Sequence, residues 1–396
     1  MTASGPDNAG GSPLTLLTTL RSAIAKLLTP RVLFVSSVLT GIATWLMLLI
    51  GGTVNPTGSS LACADWSFKW GMATTAVALP VIGLGIAIFL LSKTKRNLGI
   101  ALGGLGVALV AVDFIPVCNG DPFPAMTGGV LYEHGHRLWG WLVGVLTTLT
   151  LLGSWAAPNV ASGTRWMALA AFLLVIAQGA LGGLTVLLGL NPYLSTAHLV
   201  VGYGFLALMI VLSWRLAPSR RAEPTRGARF PRGLLLFAAL LTLAQILLGG
   251  IIRHFGAGMI CGTDPIGCGG QGLWPEMALQ QLHMLHRFLG YAVLVVVAYA
   301  SVKARRDAAA AGRPHIAMLA WVPLVLVTAQ VALGLVTVVS GKIVWVVTLH
   351  TAIGGLLLGV LTAVWVGFGP LGERRGQTSS RPSASSPPPT GHEVVV

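Results

Sequence analysis

Apolar residues in this chain run unbroken for long stretches rather than alternating with polar ones as they do in a soluble fold. A helix needs about 20 such residues to cross hydrocarbon. Runs of roughly that length recur at 32–52, 72–92, 98–116, 130–156, 166–190, 195–216, 233–252, 279–302, 316–340 and 343–368. The pattern predicts an all-α polytopic membrane protein of ten spans with both termini on one side. Polar punctuation falls between the runs: Lys93-Thr94-Lys95-Arg96-Asn97 parts the second from the third, and Asn191-Pro192 turns the chain between the fifth and sixth.

Composition agrees and charge sets the orientation. Of 396 residues, 54% are apolar and only 9% charged, with a mean hydropathy of +0.80. A net charge of +14 invites a nucleic-acid reading, but 20 of the 25 Lys and Arg fall on one side of the predicted membrane. That asymmetry is the positive-inside pattern, so the charge is topological and no nucleic-acid partner is expected. It predicts a multi-pass plasma-membrane protein with both termini cytoplasmic. Lys69, Arg253 and Lys342 fall outside, and Arg137 and Arg287 sit within the polar motifs described next. The first 30 residues show no cleavable signal peptide.

The organisation predicted along the chain is a cytoplasmic tail at 1–31, a helical half at 32–216, a basic linker at 217–232, a second helical half at 233–368 and a Ser/Pro-rich disordered tail at 369–396. The two halves repeat one another. Glu133-His134-Gly135-His136-Arg137 answers His283-Met284-Leu285-His286-Arg287, Gln178-Gly-Ala-Leu-Gly182 answers Gln330-Val-Ala-Leu-Gly334, and Ser195-Thr-Ala-His198 answers Val347-Thr-Leu-His350, at offsets of 150, 152 and 152 residues. Gly51-Gly52 stands before Cys63 as Gly249-Gly250 stands before Cys261, but at an offset of 198. The excess is a transmembrane hairpin at 69–116 inserted in the first half only. Each half is therefore read as a four-helix bundle, giving two pseudo-symmetric bundles and eight core spans.

Each predicted bundle carries two histidines near its outer end: His136 and His198 in the first, His286 and His350 in the second. Ionisable groups within spans face the bundle interior and mark function. Two imidazoles facing across a four-helix bundle are what a bis-imidazole haem requires. Glycine follows each at four residues, as Gly140, Gly202, Gly290 and Gly354, on the same helix face, leaving room for a flat macrocycle. One such histidine is more often a hydrogen-bonded core residue; four in repeated positions are read as metal ligands. Zinc competes weakly, because it wants three or four converging ligands.

Arg137 and Arg287 are read as partners of haem propionates, against snorkelling to the headgroups. Glu133 lies three residues before His136 on the same face and is read as an acid, a base or a stabiliser of developing positive charge. A helix-start acid is the plain alternative. Its counterpart is His283, so one site is expected to be catalytic and the other to transfer electrons. His134 and His254 are read as polar residues at the outer interface. The four cysteines lie on the oxidising side, so the pairs Cys63–Cys118 and Cys261–Cys268 default to disulfides; redox exchange is the alternative for the first pair, which must close across the hairpin.

These residues resemble the haem A synthase family. The likeness covers 32–68 and 117–368 and rests on Gly51-Gly-Thr…Thr57-Gly-Ser, Cys63-Ala-Asp-Trp66, Cys118-Asn-Gly, Glu133-x-x-His136-Arg137, Gln178-Gly and His198, with Gln245…Gly249-Gly250, His286-Arg287, Gln330 and His350 in the second half. The resemblance implies a membrane oxidoreductase that converts the C8 methyl of haem O to a formyl group, giving haem A for terminal oxidases. It implies that His136 and His198 hold the substrate haem, that His286 and His350 hold a haem b, that Glu133 is essential, and that Cys63 and Cys118 bear on activity. Partners implied are haem O, membrane lipid, a haem O synthase for hand-over, an electron acceptor and a second copy of the chain. The inserted hairpin departs from the family pattern. A non-catalytic di-haem cytochrome b fed by quinol is the alternative function. A transporter built from repeats would need broken helices with charges at mid-membrane, and none is read here.

Overall fold

The computed structural model describes residues 29–63, 116–157, 160–218 and 231–368, with scattered helical positions between 81 and 106. The N-terminal tail, most of the hairpin at 69–116, most of the linker and the 369–396 tail lie outside the described residues. Among those described, every element is helical apart from one isolated bridge between Cys118 and Asp121. We label the helices α1 (Pro30–Val54), α2 (Gly128–Ala156), α3 (Ser162–Leu187), α4 (Pro192–Leu216), α5 (Arg232–His254), α6 (Ala278–Ala310), α7 (Pro314–Leu319), α8 (Val322–Val339) and α9 (Val344–Gly367). Among the described residues, eight spans are long and apolar enough to cross a membrane, with α7 and α8 together forming one of them.

Local sequence explains several boundaries. Thr29 accepts from the Val32 amide and Pro30 occupies the first turn of α1, where the missing N–H costs nothing. Asn191 caps α4 in the same way, accepting from Tyr193 and Leu194 ahead of Pro192. The run predicted as one span at 316–340 divides into α7 and α8, because Pro323 lacks the N–H that a continuous helix would use. The inner loop expected after residue 302 is instead helix to Ala310. Its Lys, Arg and Ala residues are strong helix formers, and Lys303 pairs with Asp307 one turn on at 3.1 Å. Arg165, expected in a loop, lies in the first turn of α3 and donates to Ala157 O.

The spans close into two rings of four. In the first, α1 packs on α2, α2 on α3, α3 on α4 and α4 on α1; in the second, α5, α6, α8 and α9 do the same. The rings meet through α1 against α9, α4 against α5, and α4 against α9. Glycines bring these helices close: a Cβ on Gly52 would lie 3.5 Å from Thr351, and one on Gly250 would lie 2.8 Å from Leu199. The junction is also tied by hydrogen bonds to backbone carbonyls. Trp45 Nε1 donates to Ala352 O at 2.9 Å and Tyr203 Oη to Thr351 O at 2.8 Å.

Inside a bilayer polar groups are satisfied by the protein, and six buried hydroxyls comply within their own helices. Thr44, Thr147, Ser154, Ser213, Thr242 and Thr362 each donate to the carbonyl four residues back. Outward faces carry side chains such as Leu240, Val295 and Val325, exposed in the isolated chain and suited to lipid. The buried core is richest where α9 meets α5, α6 and α4, around Tyr203, Leu357, Leu361 and Val364.

Tyr203 is the buried polar tether of the junction. Tyr203→Phe removes one donor and leaves a carbonyl short of a partner, so it should lower stability by about 1 kcal/mol without changing helix content. Thermal unfolding in detergent, followed by circular dichroism, checks this; an unchanged midpoint would show the bond to be dispensable.

Candidate functional site

The four histidines occupy diagonally opposed helices at corresponding heights, His136 on α2 with His198 on α4, and His286 on α6 with His350 on α9. The rings of His136 and His198 stand nearly perpendicular, at 86°, with centroids 6.4 Å apart. A metal bonded to two imidazoles at about 2 Å each separates their ring centres by about 6 Å, so this pair can take one metal ion between its rings. His198 Nδ1–H donates to Gln178 O at 3.2 Å, which fixes the tautomer and leaves Nε2 as the ligating atom. The Nδ1 atoms of His136, His286 and His350 are buried without a protein partner. Among the described residues, no three His, Cys, Asp or Glu side chains converge on a point; the donors come as pairs.

Each imidazole lies against a glycine of the neighbouring helix. A Cβ would come within 2.7 Å of the His136 ring at Gly51, 2.9 Å of His198 at Gly182, 2.9 Å of His286 at Gly249 and 3.3 Å of His350 at Gly334. Side chains at the first three of these positions would push the rings aside. The glycines that follow each histidine by four residues face a side chain of the adjacent helix: a Cβ at Gly202 would lie 3.0 Å from Gln178 Nε2, at Gly290 and Gly354 3.2 Å from Gln245 Nε2 and Gln330 Nε2, and at Gly140 3.1 Å from Met47 Cε. The three glutamines use that opening to donate to the carbonyls of the histidines, to His198 O at 2.6 Å and to His286 O and His350 O at 2.8 Å. The signal was present in the sequence as Gln four residues before the cradling glycine, at 178/182, 245/249 and 330/334. Met47 breaks it at 47/51.

Glu133 is buried and fully engaged. Its Oε1 pairs with Arg137 Nη2 at 2.7 Å, and its Oε2 accepts from the Cys63 amide at 2.8 Å. Arg137 also donates to Cys63 O and to Val117 O. The Cys63–Cys118 disulfide, with Cα atoms 4.8 Å apart, thus rests directly on the Glu133–Arg137 pair. In the second half the Cys261–Cys268 disulfide closes a shorter loop. There Arg287 Nη1 donates to Asp264 O and Gly267 O at 2.8 Å, while His283 Nδ1–H donates to Ala257 O at 3.0 Å. Arg287 keeps Nε and Nη2 buried without a partner. Amides of Gly267 and Ile266 hold the exposed Asp264 carboxyl below its ordinary range, with the Arg287 charge adding to the effect.

Two histidines read as interface residues sit deeper than expected. His134 has no exposed surface and donates from Nε2–H to Pro122 O at 3.2 Å; the loop after Cys118 folds over it. His254 lies at the junction of the halves, bonded to Thr196 Oγ1.

Among the described residues, eight membrane-length spans form two four-helix rings, each presenting a pair of imidazoles, with a buried carboxylate one turn from a histidine of the first pair. A sequence model of the cytochrome oxidase assembly protein family (COX15-CtaA) matches residues 126–362, and the chain belongs to that family. Among its relatives are the heme A synthase of Erythrobacter litoralis, 27% identical across 81% of this chain and 91% of that protein. That of Geobacillus kaustophilus is 23% identical across 75% and 90%, and that of Shouchella clausii 28% identical across 49% and 71%.

If the glycine cradles place the imidazoles, Gly51→Ala and Gly249→Ala should each lose haem at one pair only. Gly144→Ala, where a Cβ meets nothing within 4 Å, should lose none. Haem per protein, read from the pyridine haemochrome spectrum, should fall to about half in either cradle variant. Full retention in both would sink the cradle argument.

Proposed function

We propose that this chain oxidises the C8 methyl of haem O to a formyl group, giving haem A. The observation that carries this reading is the inequality of the two histidine pairs. Among the described residues, the first half sets a carboxylate, Glu133, one turn from His136 and locks both its oxygens. At the matching position the second half has His283, tied to a backbone carbonyl. An electron-transfer protein with two equivalent haems has no use for that difference.

In this reading His136 and His198 hold the substrate haem and orient it with the methyl toward Glu133. The carboxylate supplies a fixed negative charge beside the carbon that becomes electron-poor as it is oxidised, without reorganising at the moment of reaction. Arg137 and the Cys63 amide hold it there, so the disulfide loop is the support for the charge. His286 and His350 would hold a resident haem b, and Arg287, with two donors unpartnered, would be the residue to pair with a propionate. When bound, that haem supplies one-electron transfer. The chain's own contribution in this half is to fix the backbone that carries the imidazoles, through the glutamine bonds to His286 O and His350 O. The two halves are duplicates of one four-helix ancestor, the first having gained the hairpin. The termini face the cytoplasm and both haem sites lie near the outer face. A haem O synthase, an electron acceptor and a second copy of the chain are the partners proposed.

The test is expression with a haem O supply, followed by extraction and mass identification of the haems. Wild type should yield haem A or its hydroxylated precursor. Glu133→Gln should bind haem O yet lower its oxidation roughly 100- to 1,000-fold, the weight of one preorganised electrostatic contact. Haem B alone from both proteins, with haem O available, would leave a di-haem cytochrome b as the surviving reading.

A further inference from the structure

Arg253 closes the last turn of α5, in the second half, yet its contacts belong to the first. Its Nη2 donates to Gly52 O on α1 at 3.1 Å, and the preceding residue, Gly51, is the one that cradles His136. The guanidinium also stands beside Tyr203 of α4, which is almost wholly buried and directly follows Gly202. Its Nε has no exposed surface and no acceptor. The next residue, His254, reaches α4 as well. Thr196 Oγ1 gives its own proton to Pro192 O at 2.7 Å, so it accepts from His254 Nδ1–H at 3.0 Å, two residues before His198. Two consecutive residues of the second half are thus set against the two helices that frame the first half's histidine pair.

Charge makes this placement informative. Arg253 forms no ion pair with a described residue; Arg137–Glu133 and Lys303–Asp307 pair elsewhere. The last carbonyls of α1 offset part of its charge through the helix dipole. A guanidinium offers five N–H donors in a planar fork, and holding one partly buried, with its Nε covered and a single neutral acceptor at Nη2, is costly. A carboxylate presented by a ligand is its natural complement. In the second half Arg287 keeps two such donors unpartnered beside His286. In the first half the corresponding Arg137 is held by Glu133. The first site has turned its own arginine to the carboxylate, and a guanidinium arrives from across the junction.

We propose that Arg253 binds a propionate of the haem substrate held by His136 and His198, so that the second half anchors the substrate of the first. This rests on the haem O reading above. Pairing at one propionate edge fixes the rotation of the macrocycle in its own plane, which decides the methyl brought to Glu133. Arg253 is therefore a specificity-determining residue.

The test uses the full-length protein in detergent, titrated with haem O and with haem O dimethyl ester, whose propionates carry no charge. Binding is read by absorbance, and His198→Ala identifies the signal of the substrate site. Wild type should prefer the free acid by roughly ten- to a hundredfold, the weight of a charge-assisted hydrogen bond. Arg253→Gln, which keeps a polar side chain but no charge, should bind acid and ester alike, with ester affinity unchanged. Should wild type take up no haem O, the substrate reading falls and carries this one with it. Should wild type prefer the acid and Arg253→Gln keep that preference, the assignment of Arg253 alone is overturned. An equal loss of affinity for both forms makes Arg253 a structural tether and overturns it too.

Discussion

The site depends on one steric constraint, that an imidazole can lie between two membrane helices only where the facing residue has no side chain. At Gly51, Gly182 and Gly249 a Cβ would come within 3 Å of the ring, and at Gly334 within 3.3 Å. With the ring pressed on a neighbouring backbone, its position follows the helix–helix spacing rather than rotamer choice. That is the rigidity a metal-ligand pair needs, since a site held by flexible side chains loses its geometry. A second set of glycines, four residues after each histidine, admits a glutamine amide to three of the four histidine carbonyls. Two rows of glycine thus do separate work. One seats the ring, and the other braces the backbone that carries it.

Against that shared frame the departures gain meaning. Three corners of the double bundle use glutamine and the fourth uses Met47, in the same half that carries Glu133. Arg137 and Arg287 occupy matching positions and both brace a disulfide loop through backbone carbonyls. Arg137 has additionally taken a carboxylate partner, and Arg287 has not. Two rings of like build make such comparisons informative, because the frame is shared while single side chains vary. The asymmetry is concentrated in the first turns of α2 and its covering loop. The spans beneath are free to serve as a common frame.

The parts legible in the sequence were those encoded by pattern and count. Eight described spans follow from apolar run length, because a bilayer imposes one dimension on every helix. The four histidines stood out by recurrence, and both cysteine pairs by compartment and position. What escaped was set by packing between helices. Sequence places Gly140 on the face of His136, but which neighbour fills that opening depends on where α1 lies. Pro323 signalled a break within the run 316–340, yet run length alone overrode it. The helix past residue 302 was hidden because its charges read as loop, although Lys303 and Asp307 are spaced to pair on one face.

Arg253 shows most clearly why orientation rules and site chemistry can point in opposite directions. On topology it is an anomaly, a cation on the side that the positive-inside pattern leaves poor in charge. Residues that violate a general rule mark either an error or a local compensation. Here the compensation is visible in part: a helix end at Gly52, a tyrosine ring and a neighbouring imidazole that stitches α5 to α4. None of these is an anion. In a bundle where Glu133 is committed to Arg137 on one side and to the Cys63 amide on the other, the remaining negative charge has to be brought in. On the proposal above, a propionate of the haem substrate brings it. The junction between the halves would then be more than a seam of close-packed glycines, since it would join the scaffold of one site to the substrate of the other.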